Sequence, residues 1–162
     1  KSGWAANGHK NQREPHIINS LYLKPDELQQ SIVDRFKRYD IIKETETDAE
    51  LYLTEDCDIL LCAFGATARV VKSAVNDARA QGIKAGLFRP KTLWPFPVKE
   101  INEAAKNAKT LLSVEMSMGQ MVDDIKLAIN CSKPVEFFGR TGGVIPTPAE
   151  VLEEIKRIGG AL

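Results

Sequence analysis

Four short segments hold the residue types that could bind a ligand or a partner. The first is Phe64-Gly65-Ala66-Thr67-Ala68. Gly65 permits a tight turn there, and Thr67 could cap a helix or hold an anion at its N-terminus. It is neither a dinucleotide fingerprint nor a phosphate loop, since Gly65 stands alone and no Lys follows at the required place. The second runs from Arg89 to Pro97 and contains Pro90, Pro95 and Pro97 beside Trp94 and Phe96. A stiff aromatic loop loses little entropy on docking, so this one either packs within its own domain or contacts another chain. The third is Val114-Glu115-Met116-Ser117-Met118-Gly119-Gln120. Glu115 ends an apolar run, where a buried acid needs a partner, and the backbone of a neighbouring loop could supply it. Gly119 and Gln120 open the next helix, with N–H groups to spare. The fourth joins Gly139 and Arg140 to Gly142, Gly143 and Thr147. Arg140 among the glycines could seat a phosphate or a carboxylate, and a plain flexible connection is the other reading.

No Ser/His/Asp set and no Cys/His pair can be assembled from these segments. His9 and His16 lie near the start of the chain, isolated from them. The cysteines Cys57, Cys62 and Cys131 are odd in number and form no CxxC, so disulfide, zinc and iron–sulfur frameworks are missing. Reduced thiols in a cytoplasmic protein are the expectation.

The elements that must position these segments follow from periodicity. Pro25, Asp26 and Glu27 suit a first helical turn, and Leu28, Ile32, Val33 and Phe36 form one apolar stripe, so a helix is predicted over 25–40. Residues 43–50 are charged and nonperiodic and read as a solvated loop. Beyond them, apolar runs at 59–64, 83–88, 110–115 and 135–138 read as strands, alternating with helices that end at Gly82, run over 97–106 and 119–129, and begin at Thr147. Thr147, Pro148 and Glu150 have the spacing of a capping box. Strands apolar on both faces indicate a three-layer α/β/α fold with a mostly parallel sheet. In such a sheet ligands sit beyond the C-terminal strand ends, and the four segments map there. The chain therefore divides into a connector with one helix over 1–50 and an α/β domain over 51–162.

Composition excludes several classes of function. Among 162 residues, 22 basic and 22 acidic side chains leave no net charge, so no basic excess exists to neutralise a nucleic acid and that role is disfavoured. No apolar run approaches the ~20 residues that span a bilayer. The chain opens on Lys1-Ser2-Gly3-Trp4 without a Met or a signal-peptide stretch, and the opening reads as the end of something longer, with Trp4 as a possible anchor.

The stretch from Cys57 to Ile158 resembles the C-terminal, transketolase-like domain of the α-type subunits of 2-oxoacid:ferredoxin oxidoreductases. Arg89-Pro90-Lys91-Thr92-Leu93-Trp94-Pro95-Phe96-Pro97 carries most of this resemblance, followed by Glu115 with Gly119-Gln120, then by Phe64 to Ala68 and Gly139 to Gly143. The opening, with Gly3, Gly8 and the helix near Leu28, is similar to the connector after the pyrimidine-binding domain. The 2-oxoisovalerate and 2-oxoglutarate members are the most similar. Trp94-Pro95-Phe96-Pro97 sets the chain apart from transketolases and 2-oxoacid dehydrogenase β subunits.

The resemblance implies oxidative decarboxylation of a 2-oxoacid on thiamine diphosphate and Mg²⁺, with iron–sulfur clusters passing electrons to ferredoxin and coenzyme A accepting the acyl group. It implies that the cofactors are held elsewhere, in other domains and in β, γ and ferredoxin-like δ subunits. This domain is then left with assembly and support. Arg89, Trp94, Phe96, Glu115 and Gln120 are the expected interface residues, and Gly65, Thr67, Arg140, Gly142 and Gly143 the candidate binding positions. The alternative is a freestanding α/β module that binds a nucleotide or CoA-like anion.

Overall fold

The computed structural model describes residues 8–17 and 19–160. Gly3 and Trp4 lie outside the described residues. The chain forms two compact units, Lys1–Tyr39 and Asp40–Leu162. Helix α1, Pro25–Thr45, crosses their boundary and has no buried residue.

The second unit is a five-stranded sheet between two pairs of helices. Its elements are β1 (Ala49–Tyr52), β2 (Ile59–Cys62), α2 (Gly65–Ala80), β3 (Ala85–Pro90), α3 (Val98–Ala104), β4 (Thr110–Glu115), α4 (Met121–Ala128), β5 (Val135–Gly139) and α5 (Pro148–Gly159). The strand order is β1-β3-β2-β4-β5. All pairings are parallel except β1 with β3.

The alternation of strand side chains builds the layers. Ile59 and Leu61 of β2, Leu87 of β3, and Leu112 and Val114 of β4 point to one face. There they meet Val71, Val75 and Ala78 of α2 and Val151 and Ile155 of α5. Leu60, Cys62, Phe88 and Leu111 point to the other, against Ile101 of α3 and Met121 and Ile125 of α4. Both faces of the central strands are thus dry, which is why they read as unbroken apolar runs.

Two expectations are corrected. The helix predicted to end at residue 40 runs to Thr45, and the supposed solvated loop over 43–50 ends in an antiparallel edge strand, Ala49–Tyr52. Glu50 explains the strand. Its carboxylate takes Lys72 Nζ at 2.7 Å and Arg89 at 3.0 Å, both distant in sequence. A short edge strand held by such pairs carries no long apolar signal.

Gly86 of β3 lets β1 turn away tightly. A Cβ on it would lie 2.6 Å from the Leu53 carbonyl oxygen and 3.1 Å from Cys57 Cβ. Gly86→Ala is expected to lower stability by about 1–3 kcal/mol, read as a lower urea midpoint with an unchanged slope.

Candidate functional site

The strand order reverses at β2, with β3 on one side and β4 on the other. The crevice at such a reversal, beyond the strand C-termini, is where doubly wound sheets bind ligands. The loops before α2 and α4 meet this end of the sheet.

Glu115 dominates the arrangement. It ends β4 at 3% exposure. Its Oε1 accepts from Ser113 Oγ at 2.9 Å and Val122 N at 2.9 Å. Its Oε2 accepts from Ser117 Oγ at 2.9 Å, Gln120 N at 2.9 Å and Met121 N at 3.0 Å. The open N–H groups of α4 are therefore satisfied by an acid from the preceding strand rather than by an N-cap side chain. Gly119 adopts φ +107°, which lets the chain turn so that three successive amides face the carboxylate. Burial pushes the Glu115 pKa up, but the amides of Gln120 and Met121 and the hydroxyls of Ser113 and Ser117 outweigh it. The group is held below its ordinary 4.5. An internal carboxylate thus sits where a bound anion would sit at this helix end.

The α2 end differs. Phe64 takes the N-cap position without a side-chain cap, and Gly65 begins the helix at φ +59°. Thr67 is 5% exposed inside the first turn, so it does not cap the helix as expected.

Arg140 is also engaged internally. Its Nη2 donates to Glu150 Oε1 at 2.8 Å and its Nη1 to the Gly139 carbonyl at 3.2 Å. Its guanidinium lies 4.5 Å from the Phe138 ring centroid. Glu150 also accepts from Thr147 N and Thr147 Oγ1, completing the capping box at α5. The Arg140 hydrogen bond is the leading cause of a Glu150 pKa pushed down to about 2. Gly142 and Gly143 carry the intervening turn at φ +63° and +86°. Arg140 thus does the structural work of tying β5 to α5.

The proline loop splits into an inner and an outer part. Phe96 packs on the core, its ring centroid 6.1 Å from that of Phe88. Arg89 holds Glu50. Among the expected interface residues, Trp94, 57% exposed, and Gln120 remain on the surface. Trp94, Pro95, Phe96, Lys43, Thr47 and Lys99 line much of a cleft of about 700 Å³. The cleft carries no signal in the residue pattern, because Lys43 and Thr47 stand some fifty residues before the loop.

The pyruvate:ferredoxin oxidoreductase core domain II matches residues 57–151. The chain belongs to this family. It shares 42% identity over 159 residues with the ketoisovalerate oxidoreductase subunit VorB of Methanothermobacter marburgensis, covering 98% of this chain and 45% of that one. The 2-oxoglutarate synthase subunit KorA of the same organism is 40% identical over 108 residues, 67% of this chain and 29% of its own length. The chain spans less than half the length of either relative. Among solved structures, the 2-oxoglutarate:ferredoxin oxidoreductase of Magnetococcus marinus, with 2-oxoglutarate, coenzyme A and succinyl-CoA bound, superposes with a TM-score of 0.74. It has 22% identity and covers 94% of this chain and 28% of that chain. A split-gene transketolase gives 0.55 at 16% identity, over 68% of this chain and 40% of its own. The fold is thus transketolase-like, as the resemblance implies.

A Glu115→Gln variant puts an amide NH₂ among five donors and leaves buried N–H groups unpaired. A loss of roughly 3 kcal/mol is expected. The pH dependence has a definite sign. Because the folded pKa is depressed, the stabilisation from Glu115 is fully present above the unfolded value near 4.5 and is lost as pH falls through the folded value. Urea midpoints measured against pH should fall less steeply at the acid end in Glu115→Gln than in the parent chain.

Proposed function

We propose that this chain is the core domain II of the α-type subunit of a 2-oxoacid:ferredoxin oxidoreductase of the 2-oxoisovalerate or 2-oxoglutarate kind, and that it serves assembly rather than chemistry. One observation carries the reading: at two of the candidate anion seats the donors are taken from within, by Glu115 at α4 and by Glu150 on Arg140. Family membership and the match to VorB over nearly the whole chain support the same assignment. The freestanding module for a nucleotide or CoA-like anion is not favoured on either ground.

The holoenzyme reaction would use thiamine diphosphate with Mg²⁺, iron–sulfur clusters and coenzyme A. The donors present here do not make a site for the metal ion or the clusters. Among the described residues, no three His, Cys, Asp or Glu side chains gather as a metal site. Cys57 and Cys62 are buried in the core, where desolvation pushes the Cys57 thiol up to about 11, and Cys131 is exposed. In this reading those groups belong to other domains and to β, γ and ferredoxin-like δ partners, with ferredoxin as the electron acceptor. Three unbridged thiols accord with a cytoplasmic setting.

Partner contact would run through Trp94 and its neighbour Leu93, exposed on a loop whose inner end Phe96 anchors to the core. Gln120 would extend that surface. In the assembled oxidoreductase, Trp94→Ala is expected to weaken subunit association by about 2 kcal/mol or more, roughly thirtyfold. The melting of the isolated domain should stay unchanged. Titration of the partner subunits by sedimentation tests this, and association at parent affinity would refute the assignment of Trp94.

A further inference from the structure

Of the helices that begin beyond the strand C-termini, α4 and α5 are closed from within. Glu115 takes the amides of α4, and Thr147 with Glu150 caps α5. Helix α2 is open. The amides of Ala66 and Thr67 meet no acceptor among the described residues, and Phe64 at the N-cap offers them no side-chain oxygen. A Cβ built on Gly65 would meet nothing within 4 Å, so there is free space at the mouth of the helix.

Two side chains make this opening more than a bare helix end. Thr67 is 5% exposed, and its hydroxyl has no hydrogen-bond partner among the described residues. That hydroxyl is not sealed in, for among the described residues Glu100 Oε2 is the one fully enclosed polar side-chain atom without a partner. Helix side chains lean toward the N-terminus, so a hydroxyl in the first turn faces the mouth. A buried hydroxyl without a partner is costly, and an incoming acceptor relieves that cost. Arg69 stands four residues after Gly65, within about 40° of it around the helix, and leans the same way. It is exposed, and its guanidinium meets no acid among the described residues. Every group at the mouth donates, so the occupant is an anionic acceptor. The neighbouring seat shows which kind such donors hold: the Glu115 carboxylate takes Gln120 N, Met121 N and Ser117 Oγ at 2.9, 3.0 and 2.9 Å. The rim points to a protein rather than a small ion. Cys62 of β2 pairs with Ser113 of β4, so the two strands leave the sheet side by side. Phe64 beyond the first, and Met116 and Met118 beyond the second, are exposed apolar groups. A hydrated free anion gains nothing from them, whereas a protein surface buries them and dries the charge contact they surround.

Resting on the assembly role given above, we propose that the N-terminus of α2 is a docking seat for one Asp or Glu carboxylate of a partner subunit. The amides of Ala66 and Thr67, the Thr67 hydroxyl and the Arg69 guanidinium hold it. The matching partner surface carries an acid set among apolar residues.

The test is sedimentation titration of the partner subunits with the full subunit that carries this domain. Thr67→Val keeps the shape and removes the hydroxyl, so Kd should rise about tenfold while the melting of the 162-residue chain does not fall. Arg69→Gln should raise Kd about fivefold and make it less sensitive to salt, and Arg69→Lys should recover part of both. Loss of packing alone would not change the salt dependence. Parent affinity in Thr67→Val and Arg69→Gln, with Trp94→Ala still weakening the complex, would overturn the seat and leave the assembly role standing. Parent affinity in all three variants would overturn both. Inorganic phosphate that raises the melting of the parent chain but not of Arg69→Gln, with subunit affinity unchanged in that variant, would give the seat to a free anion and also overturn the proposal.

Discussion

The carboxylate of Glu115 is the interaction on which the functional end of this fold depends. It sits at the last residue of the central strand β4 and gathers three amides of the following helix and two hydroxyls. An acid so buried is stable as an anion only because every donor points at it, and the helix can begin so abruptly only because the acid is there. The path from Met116 to Gln120 is therefore fixed by electrostatics more than by packing, for Met116 and Met118 lie exposed at 43% and 84%. The crevice beside β2 takes its shape from that path.

The same device recurs at the end of the adjacent strand β5. Glu150 closes the capping box of α5 and also holds Arg140, whose guanidinium covers Phe138. A third acid, Glu50, fastens the antiparallel edge strand through Lys72 and Arg89. Each binds cationic or N–H donors that an anionic ligand would otherwise claim. In a family whose members include subunits of ketoisovalerate and 2-oxoglutarate oxidoreductases, a domain with these two anion seats filled is suited to rigid support. Its exposed apolar groups, Leu93 and Trp94 among them, are suited to contact with other chains.

Much of this was legible in the residues, and the exceptions have physical causes. The strands β2 and β4 are apolar on both faces and announce themselves, as do the capping box of Thr147 and Glu150 and the need of Glu115 for a backbone partner. The edge strand Ala49–Tyr52 was hidden because its stability comes from pairing with β3 and from ion pairs with side chains far along the chain. Arg140 among glycines has the composition of an anion loop. Only the fold shows that Glu150 has reached it first. Phe96 and Trp94 are alike in sequence, yet the first packs toward Phe88 and the second faces outward. The resemblance identified the family and the fold, whereas the division of labour among its residues required coordinates.

The central claim is that this domain supports the enzyme without binding its small molecules. The most direct measurement is a thermal-shift titration of the chain with coenzyme A, and separately with thiamine diphosphate and Mg²⁺. A ligand present at 100 times its dissociation constant would add about 2.7 kcal/mol of stability, a plainly visible rise in melting temperature. The account predicts no shift with either. A shift with coenzyme A would mean that the glycine loops form a true site despite Glu115 and Glu150, and a shift with thiamine diphosphate would place the domain at the catalytic centre and contradict the account.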